Sequence, residues 1–249
     1  MSEATSRVAL VTGASGGIGR ALTARLRAGG HRVAAVGRHA ASLSSAPADA
    51  RIVADTTTTE GAAAAMSACR ELLGETPTLL AHCVGSTLIA PLHKTGAEQY
   101  RDLMRVNLDS AVFTLQAWIE ARRAAGGGGA AVLVSSVVAR IGVANHEAIA
   151  AAKGGIEALT RSAAASYASS ALRINAVAPG MTDTPMTAGM LRIDAMRDGA
   201  GRQYPLGGVQ TAEQVADVMA WLLSDQAARI TGQVIAVDGG FTTIRPLVK

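Results

Sequence analysis

Val8-Ala9-Leu10-Val11-Thr12-Gly13-Ala14-Ser15-Gly16-Gly17-Ile18-Gly19 runs from a short aliphatic segment through a glycine-rich turn into the start of a helical pattern. An uninterrupted apolar run of this length reads as a strand buried on both faces. Gly13 permits the tight turn, Gly17 lets backbone N–H groups approach an anion with no Cβ in the way, and Gly19 lets the helix pack close to the strand. The helix N-terminus then presents the positive end of its dipole to that anion. Between a strand and a helix, at the head of a βαβ rhythm, the pattern predicts a loop that cradles a diphosphate.

The rhythm continues outward from there. Aliphatic runs predict strands at 8–11, 32–36, 51–54, 78–82, 131–134, 173–178 and 233–237, and helical stretches fall at 18–28, 59–73, 98–123, 149–167 and 212–223. Such alternation is the signature of successive βαβ units. The expected fold class is therefore α/β: one Rossmann-type domain over 1–249, a doubly wound parallel sheet of about seven strands flanked by helices. The run from Gly126 to Gly129 reads as a turn into the fifth strand, because the alternation resumes on both sides of it.

Composition narrows the function. The 249 residues are 49% hydrophobic, enough for one large core. Cys69 and Cys83 cannot make a disulfide framework, and no Cys/His pair has zinc spacing, so a reducing cytoplasm and no metal are expected. No apolar run approaches the ~20 residues of a membrane helix, and the polar stretch over residues 1–7 is unlike a signal peptide. A formal charge of +4, scattered without aromatic platforms, argues against nucleic acid as a partner and leaves small anionic molecules.

Cofactor choice is written at the end of the second strand, where an acidic residue would hydrogen-bond the ribose hydroxyls of NAD and repel a 2′-phosphate. Gly37 holds that place and Arg38 follows it. A guanidinium offers the planar fork of donors that suits a phosphate, so NADP(H) is the expected cofactor.

Val132-Leu133-Val134-Ser135-Ser136 and, from Ile149 to Gly155, Ile-Ala-Ala-Ala-Lys-Gly-Gly resemble the catalytic segment of the short-chain dehydrogenase/reductases. There a serine is followed thirteen residues on by Tyr-x-x-x-Lys; here Ser136 and Lys153 keep the spacing and Ile149 stands where the tyrosine belongs. The resemblance covers nearly the whole chain. It implies nucleotide-loop roles for Gly13, Ser15, Gly17, Ile18 and Gly19, adenine contacts at Asp55 and Thr56, and a place for Gly85 after the fourth strand. It also implies carboxamide contacts from Pro179, Gly180, Thr182 and Thr184. Asn107 corresponds to the asparagine that holds a water beside the catalytic lysine. His82-Cys83-Val84-Gly85 replaces the family's Asn-Asn-Ala-Gly, so the strand-supporting asparagines are lost. In the family a hydride passes between the nicotinamide and a carbonyl carbon, the tyrosine moves the proton, the lysine lowers the phenol pKa and binds the ribose, and the serine orients the oxygen.

Ile149 can do no proton work. His146, seven residues before Lys153, matches the separation at which enoyl reductases of the superfamily place their tyrosine, and a histidine can donate near neutral pH. Tyr167 lies too far along the helix, while Tyr100 and Tyr204 stay open. The segment 185–205 reads as a substrate lid; its Met186, Met190, Leu191, Ile193 and Met196 beside Arg192, Arg197 and Arg202 fit either an acyl chain with an anionic carrier or an amphipathic helix with solvated charges. Two functions follow. One is an NADP(H)-dependent oxidoreductase acting on a carbonyl or conjugated enone with a non-standard proton donor, and the other a catalytically retired NADP(H)-binding protein serving as sensor or oligomer subunit. The small residues of the helix at 149–167 suit packing between copies, and the resemblance implies a homotetramer, with a dimer as the smaller choice.

Overall fold

A computed structural model describes residues 6–245; most of the polar N-terminal stretch read above lies outside the described residues. The parallel sheet is built from β1 (Val8–Thr12), β2 (Arg32–Gly37), β3 (Ala50–Val53), β4 (Leu79–His82), β5 (Gly129–Val134), β6 (Leu172–Pro179) and, after a two-residue pair β7 (Thr182–Asp183) and β8 (Gln210–Thr211), β9 (Val234–Val237). Its order is β3-β2-β1-β4-β5-β6-β9, and every pairing is parallel, with Leu10 opposite Ala34 on one side and Leu80 on the other. The seven-stranded doubly wound sheet is the expected one. Because the strands run parallel, both sheet faces must be covered, and alternate residues feed two cores. Val8 and Leu10 pack with Met66, Leu115, Trp118 and Ile156, whereas Ala9 and Val11 pack with Leu22, Leu26, Val215 and Met219.

The helices supplying those faces are α1 (Gly17–Ala28), a short α2 (Ala40–Leu43), α3 (Thr59–Leu73), α4 (Ala97–Met104), α5 (Ser110–Ala125), α6 (Glu147–Tyr167), α7 (Asp194–Gly201) and α8 (Ala212–Leu223). The single helix expected over 98–123 is two: a π turn over Arg105–Asp109 separates α4 from α5. Such wider turns are rare and frequently mark functional sites. Here the turn carries the buried Asn107, whose amide donates to Leu103 O at 3.0 Å. Strand order reverses between β1 and β4, which opens a crevice at the carboxyl ends of the strands, where α/β folds bind their ligands.

Candidate active site

The first βα turn is shaped by absent side chains. Gly13 has φ +65°, and a Cβ there would lie 2.6 Å from the Cys83 carbonyl; a Cβ on Gly19 would strike the Gly13 carbonyl, and one on Gly17 would sit 2.7 Å from Thr184 Cγ2. The loop is thus threaded between β4 and the segment after β6. α1 begins with no acidic residue in its first turn and no side-chain cap, so its first N–H groups are left for an anion. A dinucleotide fits this cradle. Gly13→Ala is expected to cost about 2–4 kcal/mol, from a left-handed backbone forced on an L side chain plus a backbone clash, and to weaken dinucleotide binding more than tenfold; urea denaturation and NADPH fluorescence titration check both.

A cleft of about 400 Å³ opens beside this loop and collects residues from every strand end around it. Of the residues expected at the site, Gly17, Ile18, Gly19, Gly85, Ser136, His146, Lys153, Pro179, Gly180, Thr182 and Thr184 line it. Gly13 supports the loop from behind, and Ser15 is exposed. Arg38, Asp55 and Thr56 stand apart from the cleft, after β2 and β3. Arg38 is exposed, Thr56 buried, and Asp55 Oδ1 accepts from the Thr57 N–H and hydroxyl at 3.0 and 2.8 Å. Partial burial pushes the Asp55 carboxyl up, but those hydrogen bonds, with Arg38 and Arg105 nearby, outweigh it and hold the group below its ordinary range.

Lys153 is 6% exposed and donates from Nζ to Val134 O at 2.9 Å. Burial pulls its pKa down to about 8. Ile149, one helical turn earlier, lies 4% exposed against Leu103, with Leu88 and Val138 beside it, and its side chain forms part of the cleft wall. Ser136 starts a short helical turn, its Oγ accepting weakly from Val138 N at 3.4 Å. Gly85 brings the strand end against this group: a Cβ there would lie 3.1 Å from Asn107 Oδ1 and 3.4 Å from Lys153 Nζ. Asn107 does not line the cleft; its amide is used to fasten the loop after β4, donating to Ser86 Oγ at 3.0 Å and accepting from Ser86 N at 3.2 Å. His146 is the N-cap of α6, and its Nδ1 donates to Ala144 O at 2.7 Å, which leaves Nε2 as the nitrogen with its lone pair free.

The segment His82-Cys83 shows what replaced the lost asparagines. His82 is buried between Thr12 Oγ1 at 2.9 Å and Ser110 Oγ at 3.0 Å. The Ser110 hydroxyl spends its proton on Val106 O at 2.6 Å, so His82 Nε2 donates to it and Nδ1 accepts from Thr12. One neutral ring therefore ties β1, β4 and α5 together, where the sequence by itself registered only a loss. Burial, and secondarily the charge of Lys153, push its pKa down to about 3. Burial also pushes the Cys83 thiol up to about 12, so it faces the cleft as a neutral group.

The cleft roof comes from segment 185–205 and its neighbours. Met186 and Met190 line the cleft with Ala200, Gln203 and Tyr204, while Leu191 is buried, and Ile193 and Met196 are about half exposed. The segment's arginines lie off the cleft: Arg197 pairs with Asp183 at 2.7 Å, and Arg192 and Arg202 are exposed. Tyr204 is the tyrosine in the lining; Tyr100 and Tyr167 are not there. Its hydroxyl accepts from Met181 N at 2.6 Å, and its ring packs on Phe241 at 5.0 Å between centroids and closes over Gly180. Tyr204 thus braces the Gly180-Met181 turn instead of facing Lys153. No sequence pattern signals that brace, because its two ends lie on separate loops.

Comparison with known proteins agrees with this architecture. The family described as Enoyl-(Acyl carrier protein) reductase matches residues 13–242. A cis-4-hydroxycyclohexanecarboxylate dehydrogenase of Sinomonas cyclohexanicum is 38% identical, over 98% of this chain and all of its own. A 2-(R)-hydroxypropyl-CoM dehydrogenase of Xanthobacter autotrophicus is 35% identical, over 96% of this chain and all of its own. The structure of Thermoplasma acidophilum aldohexose dehydrogenase superposes with a TM-score of 0.90 at 28% identity, covering 98% of this chain and 97% of that one. With a family match spanning nearly its whole length and both dehydrogenases and reductases among its relatives, the chain belongs to the short-chain dehydrogenase/reductases and is an oxidoreductase of that family.

Proposed function

We propose that the chain is an NADP(H)-dependent oxidoreductase that interconverts a carbonyl, or a conjugated enone, and its reduced form, using a proton carrier other than residue 149. The observation that carries this reading is the meeting, in one cleft, of the glycine loop, Ser136 and buried Lys153, with an aliphatic side chain at the intervening position. In it Gly13, Ser15, Gly17, Ile18 and Gly19 hold the diphosphate, Asp55 and Thr56 the adenine, and Gly85, Pro179, Gly180, Thr182 and Thr184 the nicotinamide end. The nicotinamide, when bound, supplies or receives the hydride. Ser136 orients the substrate oxygen, Lys153 also holds the ribose, and Asn107 keeps the Gly85-Ser86 turn in place against the lysine. The cleft walls suit an apolar substrate: Ile89, Val138, Val143, Ile149, Met186 and Met190 contribute them.

Arg38, exposed directly after β2, would take the 2′-phosphate. In fluorescence titrations NADPH is expected to bind at least about tenfold tighter than NADH, and Arg38→Glu to reverse the order, because a charge-assisted bidentate contact becomes a like-charge repulsion. The functional test is NADPH consumption across ketones, quinones and enones. Tight NADPH binding with no turnover on any of them would leave a dinucleotide-binding protein and end the enzymatic reading. Assembly into a homotetramer or dimer through α6 belongs to the same proposal: Ala151, Ala158 and Ala165 are exposed at seven-residue intervals along it, a stripe small enough for a second helix to approach closely.

A further inference from the structure

We propose that Lys153 itself gives the substrate oxygen its proton in this chain, directly or through one water, where the family arrangement would use a phenol at position 149. The inference rests on the functional reading above. Four ionisable side chains line the cleft: Cys83, His146, Lys153 and Tyr204. The Cys83 thiol holds its proton to about pH 12. Tyr204 is turned to Met181 N, and burial raises its pKa further above the phenol range. His146, whose Nδ1–H is committed to Ala144 O, can act only through Nε2, which carries a proton in the imidazolium form alone when Nδ1 is so engaged.

Lys153 is different. It is a buried cation whose Nζ has, among the described residues, one hydrogen bond, to Val134 O at 2.9 Å, and no carboxylate partner. The acid one turn further on, Glu157, is occupied by the Ser135 hydroxyl at 3.1 Å and by Arg161 at 3.8 Å. The other groups around the amine are neutral: His82 and Cys83 from β4 and the turn after it, and Asn107 from the π turn. An ammonium carries three N–H donors, so hydrogens remain for the cleft, and Gly85 places no side chain in front of them. Ile149 cannot compete for the role. Burial without a counter-charge loosens the proton, which is the direction a general acid needs at neutral pH.

With a nicotinamide bound to supply the hydride, the carbonyl carbon would gain that hydride, the C=O π pair would move onto oxygen, and the oxygen would take its proton from Lys153 Nζ. The neutral amine left behind is reprotonated by one proton from the buffered solvent, so that the reduction consumes one hydride and one proton in all.

Nuclear magnetic resonance of the dinucleotide-free protein labelled at lysine Cε reads the amine without any turnover. Lys153 is expected to titrate near pH 8, and an ordinary lysine value above about 10 overturns the assignment. In kinetics, kcat for reduction should be flat at low pH and fall about tenfold per unit above the pKa that the amine has in the loaded complex, since the protonated amine is the donor. Lys153→Arg keeps the charge but cannot release a proton, so kcat should drop by about 10²–10⁴, and NADPH affinity is read separately by fluorescence titration so that a weakened ribose contact is not counted as loss of the donor. The alkaline limb should persist in His146→Phe. A limb that vanishes in His146→Phe and survives in Lys153→Arg makes the histidine the donor and overturns the proposal. A native protein that binds NADPH yet turns nothing over fails at the functional reading itself, a separable result.

Discussion

Ile149→Tyr is expected to raise kcat for ketone reduction by about 10²–10⁴, the range that a positioned general acid contributes. Residue 149 sits one turn before Lys153 on the same face of α6, and both side chains line the cleft, so a phenol built there would stand beside the ammonium. That charge favours the phenolate and brings the phenol's pKa down toward neutrality, a better match than the lysine alone. The ring is larger than the side chain it replaces and must share space with Leu103, Ala148, Leu88 and Val138. Overpacking of this kind costs about 1–3 kcal/mol, but the open side of the pocket gives the ring somewhere to extend. Steady-state kinetics on a panel of cyclic and linear ketones, with melting temperature as the control for packing, tests it. If NADPH and ketone still bind and kcat does not rise, the missing phenol is not what limits this enzyme.

Acid should unfold this protein through His82. Its ring is held neutral down to about pH 3 in the folded chain, whereas in the unfolded chain it protonates near pH 6.5. Above pH 6.5 it is neutral in both states and contributes no slope. Below that value the unfolded state binds the extra proton, and stability falls by about 1.4 kcal/mol per pH unit until the folded ring also titrates. His31, whose pKa burial and Arg7 lower, adds to the same trend, so the comparison needs a variant. His82→Asn keeps a polar side chain between Thr12 and Ser110 without a titrating ring. Urea midpoints from pH 7 to 4 are expected to decline clearly less steeply in the variant, and equal slopes would remove His82 from the account. His82→Leu should cost about 2–4 kcal/mol at pH 7, because the buried Thr12 hydroxyl loses its acceptor and the Ser110 oxygen its donor.

Much of this protein is legible before folding is considered. The order of strands and helices follows from apolar runs and their punctuation; α3, over Thr59–Leu73, and α8, over Ala212–Leu223, have the expected ends, because a Thr cap opens each. The division of α4 from α5 was not legible, since no breaker residue marks the π turn over Arg105–Asp109. The Ser136 to Lys153 spacing and the isoleucine between them could likewise be counted off the chain. What His82 does could not be counted. Its partners lie 70 and 28 residues away, and only the parallel sheet brings them to one ring.

The linear chain alone determined the fold class, the glycine cradle and the absence of a phenol at position 149, because periodicity, backbone freedom and residue spacing are local properties. Tertiary structure decided that Lys153 is buried without a carboxylate, that Tyr204 braces Met181, and that the segment's arginines stand away from the cleft. Burial, charge partnership and pKa are set by atoms from distant parts of the chain, and those atoms become neighbours only when the sheet and its covering helices close around them.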